Sequence, residues 1–178
     1  MEIGIIGLGK IGGNLARQAI EKDIRVVGKD PKDRPELEDM GLVKVDGYDE
    51  FVEELGAPRV IYLSLPAGGT IDEVIDDLKP RLDEGDVVMD GGNSFFRDSL
   101  RRYEDLADER IDFIDCGTSG GVTGARNGAC FMVGGEKQAV EKAEPLLEKL
   151  SVDGGFLHVG GPGSGHFVKL VHNGIEFG

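Results

Sequence analysis

Short apolar runs alternate along this chain with segments whose apolar residues recur every three or four positions. "EIGIIG" (2–7) is an almost unbroken apolar run, the pattern of a strand buried on both faces. "KIGGNLARQAIEK" (10–22) follows it, with Ile11, Leu15, Ala19 and Ile20 at helical spacing. The exchange then repeats. "IRVVG" (24–28) reads as a strand, "DPKDRPELEDM" as a turn with a short helix, "GLVKV" as a small strand and "YDEFVEELG" as a helix. "RVIYLSL" (59–65), "DVVMD" (86–90), "IDFIDC" (111–116), "GACFMVGG" and "FLHVG" are further strands. Between them lie helical patterns in "GTIDEVIDDLKPRL", "SLRRYEDLADER" and "EKQAVEKAEPLLEKL". Such alternation predicts an α/β fold, a doubly wound, mainly parallel sheet of Rossmann type with right-handed crossovers. "GGPGSG" (160–165) breaks the rhythm, and a last helical segment follows.

Composition adds limits rather than a function. The 178 residues suffice for one sizeable domain, and 39% hydrophobic content supports a core. Net charge is −14, from 34 acidic and 20 basic residues, which argues against nucleic acid or an anionic membrane as partner. An anionic substrate would need a local basic pocket. Acidic helix faces such as "EDLADER" suit a solvated surface, and also a surface adapted to high salt. Cys116 and Cys130 have no metal-ligand spacing and are expected to be buried free thiols. No metal site is expected. The N-terminus lacks a basic leader and the apolar runs are too short for a bilayer, so a cytoplasmic protein is expected.

The first strand–helix junction contains Gly7-Leu8-Gly9-Lys10-Ile11-Gly12, a G-x-G-x-x-G. Its place after a strand and at the opening of a helix is the context a dinucleotide site requires. In that arrangement Gly7 makes the turn, Gly9 admits a pyrophosphate, and Gly12 lets helix and strand pack closely. The helix start supplies free N–H groups and positive dipole. Asp30 ends the second strand about 20 residues further on, where a carboxylate accepts from ribose hydroxyls and repels a 2′-phosphate. That favours NAD over NADP, although Lys29, Lys32 and Arg34 near Pro31 offer positive charge. Leu65-Pro66-Ala67 leave the third long strand in a kink suited to passing over the dinucleotide.

Ligands of doubly wound sheets bind beyond the carboxyl ends of the strands. "DGGNS" (90–94) lies at such an end, where Asn93 serves cofactor or substrate, or caps a helix. "CGTSGGVTGARNG" (116–128) reads as a long irregular loop, with Ser119-Gly120-Gly121 offering a hydroxyl and N–H groups. In the last helix, Lys169, His172, Asn173 and Glu176 fall at i, i+3, i+4 and i+7, on one stripe. Val168, Leu170, Val171 and Ile175 flank it, so the helix is expected to be largely buried, its polar stripe facing a wet or ligand-filled cleft. Singly, Lys169 and Glu176 also suit ion pairs, and His172 a satisfied core histidine. Four polar groups in register favour a site.

"GLGKIGGNLA", "DGGNS", "GTSGG", "MVGG" and above all "GHFVKLVHNGIEFG" resemble the decarboxylating 6-phosphogluconate dehydrogenases, along all 178 residues. The resemblance implies that Lys169 accepts the C3 hydroxyl proton as hydride leaves for NAD. Loss of CO₂ follows, and Glu176 protonates C1 of the enediol to give ribulose 5-phosphate. Asn93, Ser119, Gly120, Gly121, His172 and Asn173 are then substrate ligands. Phe177 stands where the family often has a phosphate-binding tyrosine, and Asp30-Pro31-Lys32 replaces the Asn-Arg-Thr of NADP users. The family continues into an all-helical, dimer-forming domain. Residues 1–160 are thus expected to be the dinucleotide-binding domain, and 161–178 a linker and the first turns of that second domain. A homo-oligomer is implied for the full-length enzyme. A β-hydroxyacid dehydrogenase and a non-catalytic dinucleotide-binding module remain as alternatives.

Overall fold

The computed structural model describes residues 1–178, apart from the side chain of Phe177, so the tyrosine-to-phenylalanine difference noted there lies outside the described residues. Eight strands form one sheet in the order β3-β2-β1-β4-β5-β6-β7-β8. They are β1 (Glu2–Ile6), β2 (Arg25–Lys29), β3 (Val43–Val45), β4 (Val60–Leu63), β5 (Val87–Asp90), β6 (Asp112–Ser119), β7 (Ala129–Gly135) and β8 (Ser151–Gly160). Neighbours pair in parallel, except that β7 runs antiparallel to β6. The α/β, mainly parallel, Rossmann-like architecture read from the sequence is therefore the one observed.

Alternation along the strands divides the core between two faces. Ile3 and Ile5 of β1, Val87 and Met89 of β5, and Ile114 of β6 pack on one face with Leu15, Ala16 and Ala19 of α1 (Gly12–Glu21). Leu146, Leu147 and Leu150 of α7 (Lys137–Leu150) join them. On the other face, Val27, Leu63, Val88 and Phe113 meet Phe51 of α3 (Tyr48–Glu53) and Ile71 and Ile75 of α4 (Gly69–Leu78). The short α2 (Pro35–Glu38) adds Leu37, and α5 (Phe96–Ala107) adds Leu106. Burying whole Ile, Leu or Val side chains contributes about 1.5–3 kcal/mol each, so the two faces hold the sheet from both sides.

Three expectations need correction. Residues 116–128 are not one irregular loop: β6 runs on to Ser119, and α6 (Gly121–Asn127) follows at once. Gly120 and Gly121, at φ +107° and +57°, make the corner that permits this. Cys116 is buried, but Cys130 is exposed on β7. The last helix, α8 (Ser164–Phe177), is not largely buried. Phe167, Leu170 and Val171 are about half exposed, and Ile175 more so. Only a narrow line through Gly165, His166 and Lys169 is buried.

Candidate functional site

The order of strands reverses between β1 and β4, which opens a crevice at their carboxyl ends. The three glycines of the first turn divide by what surrounds them. A Cβ on Gly12 would collide with the Gly7 carbonyl and stand 2.8 Å from the Ser64 Cβ. Gly7 has φ +91°, its N–H reaches the Lys29 carbonyl at 2.9 Å, and the end of β4 presses on it. Packing thus explains Gly7 and Gly12. Gly9 is different: nothing lies within 4 Å of where its Cβ would be. Its open flank, beside a helix start that no side chain caps, fits a pyrophosphate.

Asp30 has a structural task of its own. It is 9% exposed, and its Oδ2 accepts the Leu8 N–H at 2.7 Å. Its Oδ1 accepts the Lys32 N–H at 2.9 Å and faces the Arg34 guanidinium at 3.4 Å. Burial works against the anion, but these donors outweigh it and hold the carboxyl below the usual aspartate range. Asp30 therefore fastens the glycine turn to β2. A pocket of about 380 Å³ adjoins it, lined by Gly7, Gly9, Asp30 and Pro31 on one side and Leu65 and Pro66 on the other. Tyr48, Thr70 and Val74 line it as well, and sequence reading had not singled them out. Lys32 and Ala67 are exposed and line neither this pocket nor the next, while Leu8 is buried behind the turn.

Gly9, Leu65 and Pro66 also line a second cleft of about 410 Å³, so the two form one groove across the crevice. Lys10 and Ile11 stand on one wall of this second part, and Asn93, Thr118 and Gly121 on the other. Asn93 is not a helix cap, since Phe95 holds that position for α5; at φ +55° its exposed side chain belongs to the groove wall. The segments that follow β4, β5 and β6 are tied together below the groove. Arg102, 1% exposed, donates to Asp72 (2.7 Å), Asp90 (2.9 Å), Ser94 (3.1 Å) and the Gly68 carbonyl (3.1 Å). Asp90 also accepts the Gly92 N–H at 2.9 Å. Thr118 in turn shares a 2.7 Å hydrogen bond with the buried Tyr62 hydroxyl. Local sequence held no signal for Arg102 or Tyr62, because their partners are distant in the chain.

Ser119 and Gly120, between Thr118 and Gly121, join the groove to α8. Lys169 is 7% exposed, and its Nζ donates to Ser119 Oγ at 3.0 Å. Burial pulls the ammonium below the usual lysine range, and the Glu176 carboxylate opposes this only in part. Glu176 therefore acts on Lys169 from the same side of the helix. His172 Nδ1 lies 3.4 Å from the Glu176 carboxylate, with both side chains close to half exposed. Asn173 is partly buried beside them. The stripe is thus real but graded, with Lys169 sealed against β6 and His172 and Glu176 open. Such a constellation can hold an amine that gives and takes a proton beside a hydroxyl, with a carboxylate about two turns on.

Among the described residues, no group of three or more His, Cys, Asp or Glu side chains could hold a metal ion. No helix there is long and apolar enough to cross a membrane. The family described as the NAD-binding domain of 6-phosphogluconate dehydrogenase matches residues 2–160. YqeC of Bacillus subtilis is 44% identical over 180 residues, covering 100% of this chain and 60% of YqeC. The NAD(+)-dependent, decarboxylating 6-phosphogluconate dehydrogenase of the same organism is 42% identical, over 98% of this chain and 40% of that protein. Among solved structures, Plasmodium falciparum 6-phosphogluconate dehydrogenase superposes with a TM-score of 0.92 at 32% identity. That match covers 99% of this chain and 40% of the other. Mycobacterium tuberculosis 3-hydroxyisobutyrate dehydrogenase gives 0.88 at 25% identity, over 98% and 60%. The chain spans 40 to 60% of the length of these curated relatives.

Proposed function

The chain belongs to the family of the NAD-binding domain of 6-phosphogluconate dehydrogenase, and from that premise we propose that it is the coenzyme-binding part of an NAD-dependent enzyme that oxidatively decarboxylates 6-phosphogluconate to ribulose 5-phosphate. The observation that carries this reading is the 3.0 Å contact between a sealed lysine amine and Ser119, at the edge of a groove that begins at Gly9. NAD bound along that groove supplies the carbon that accepts hydride. The turn at Gly7, Gly9 and Gly12 would hold its pyrophosphate, and Asp30 and Pro31 would border its ribose. A preference for NAD is supported by the Asp30 carboxylate and by the NAD(+)-dependent relative.

In this mechanism Lys169 accepts the proton of the C3 hydroxyl, which its depressed basicity permits nearer neutral pH. Still protonated, it then stabilises the enolate oxygen formed when CO₂ departs. Glu176 delivers the proton to C1. Ser119, Gly120, Gly121, Asn93, His172 and Asn173 bind and orient the sugar acid. Residues 161–178 open a helical part in this reading, supported by the uncovered apolar flank of α8. The enzyme as a whole is a homo-oligomer.

Two measurements test the proposal. Calorimetric titration of the chain should show NAD binding more tightly than NADP, and Asp30→Ala should erase the difference; equal affinities in the parent chain refute the NAD assignment. Initial rates should favour 6-phosphogluconate over 3-hydroxyisobutyrate, in the chain extended as its relatives are. The reverse preference would assign the protein to the β-hydroxyacid dehydrogenases, and absence of turnover with both would leave a binding module.

A further inference from the structure

Three alternate residues of one strand meet α8. Asp115, Gly117 and Ser119 lie at i, i+2 and i+4 of β6, so their side-chain positions share a face. Asp115 is fully buried and accepts two backbone N–H groups from the start of the helix, Gly163 at 2.7 Å through Oδ1 and His166 at 2.7 Å through Oδ2. No residue of α8 caps its own N-terminus, so the carboxylate of a neighbouring strand does so. Gly117 gives clearance: a Cβ there would lie 2.6 Å from the Lys169 Cβ and 2.8 Å from the Gly165 carbonyl. Ser119 receives the Lys169 ammonium. His166 adds a second tether through its Nδ1, 2.8 Å from Ser99 Oγ on α5. The rest of the helix is held more loosely: Leu170, Val171 and Ile175 are half exposed or more, and Phe167, also half exposed, meets the Phe96 ring on α5 edge-on.

We propose that Asp115 is the positioning residue for Lys169, anchoring the start of α8 to β6 so that the amine is carried into its buried place beside Ser119. The anchor and the amine are one helical turn apart, His166 to Lys169, so loss of the anchor moves the amine directly. An amide in place of the carboxylate can accept at only one of its two atoms, which leaves one of the two helix N–H groups facing a donor. The helix start then shifts outward, and Lys169 loses part of its burial. This deepens the proposed function, because it rests on Lys169 being the proton acceptor.

The test reads the lysine itself and needs no turnover. The chain is labelled with [13C]lysine, the Lys169 Cε resonance is assigned with Lys169→Arg, and its shift is followed against pH. In the parent chain the midpoint lies below the ordinary lysine value. In Asp115→Asn it is expected to rise by about 0.5–1 unit as water reaches the amine. Removal of a negative charge alone would move it the other way, so direction separates displacement from a field effect. Gly117→Ala, which pushes the helix without altering charge, should raise the midpoint likewise, and carries the readout alone if Asp115→Asn does not fold. Asp112→Asn on the same strand serves as a control with no shift expected. NAD affinity within about twofold of the parent shows each variant to be folded. A midpoint that stays put or falls in a folded variant overturns the proposal. Failure of 6-phosphogluconate turnover would refute the proposed reaction and leave this result standing.

Discussion

Two buried aspartates fasten the two ends of this site, and they differ in setting. Asp30 ties the glycine turn to β2, and Asp115 ties α8 to β6; each accepts two backbone N–H groups. Around Asp30 the structure is self-sufficient. Strands β1, β2 and β4 surround the turn, and packing dictates two of its three glycines. Around Asp115 the helix it holds has one sealed line and an uncovered apolar flank. The first end is built mostly from backbone and should function as it stands. The second presents side chains on an element whose attachment is narrow. On the proposed function, the cofactor end should tolerate changes in α8, whereas the chemistry should depend on both ends.

The largest expected effect comes from removing the amine. Lys169→Ala should lower turnover about a thousandfold in the extended enzyme, the usual scale for a general base. NAD affinity should stay within about twofold, because no atom of Lys169 lines the groove segment around Gly9. Joint loss of turnover and binding would break the division between the two ends. The rate of the parent enzyme should also rise with pH along a limb below the ordinary lysine range, since only the neutral amine accepts a proton and its burial favours that form.

A smaller effect sharpens the comparison within the glycine turn. Gly9→Ala fills open space, so stability should change by less than about 0.5 kcal/mol, while NAD affinity falls about tenfold. Gly12→Ala drives a methyl group against the Gly7 carbonyl and Ser64, and should destabilise the fold by about 1–3 kcal/mol. Chemical denaturation and calorimetric titration of both variants check the pair. Equal stability losses would mean that Gly9, too, is a packing glycine.

The contrast between the ends also explains what could be read from residue order. The G-x-G-x-x-G turn is local, and its three roles follow from strand–turn–helix context alone. The stripe in α8 was visible because helical periodicity is local as well. The error there was one of degree: apolar flanks implied burial, yet Phe167 and Leu170 are half exposed and Ile175 more so, with only the Phe96 ring packed on Phe167. The 116–128 segment misled because glycine and hydroxyl residues read as loop, whereas two left-handed glycines compress the turn and leave a strand and a helix on either side. Asp115, Arg102 and Tyr62 escaped notice altogether. Each meets its partner across the sheet or between loops, and no spacing rule reports contacts of that kind. Asp115 in particular reads as one more residue of an apolar strand.

The smallest predicted effect is also the most direct comparison of the two carboxylates. Asp30 has its folded pKa lowered, so its contribution to stability is present above the unfolded value of about 3.9 and is lost as pH falls through the folded pKa. Asp115 has its folded pKa raised by burial, which the His166 and Gly163 N–H groups and the nearby His166 ring counter only in part. Its native form binds a proton more readily than its unfolded form, so its contribution improves as pH falls from the folded pKa towards the unfolded one. Urea midpoints of the parent chain, Asp30→Asn and Asp115→Asn between pH 6 and pH 3 should therefore diverge. The parent's advantage over Asp30→Asn should shrink with acid, and its standing against Asp115→Asn should rise, each by on the order of 1 kcal/mol. A lost hydrogen bond adds a constant offset to either difference but no slope. Slopes of the same sign would show that depth in the sheet does not separate the two anchors, and that the end holding Lys169 is as open to solvent as the end holding the glycine turn.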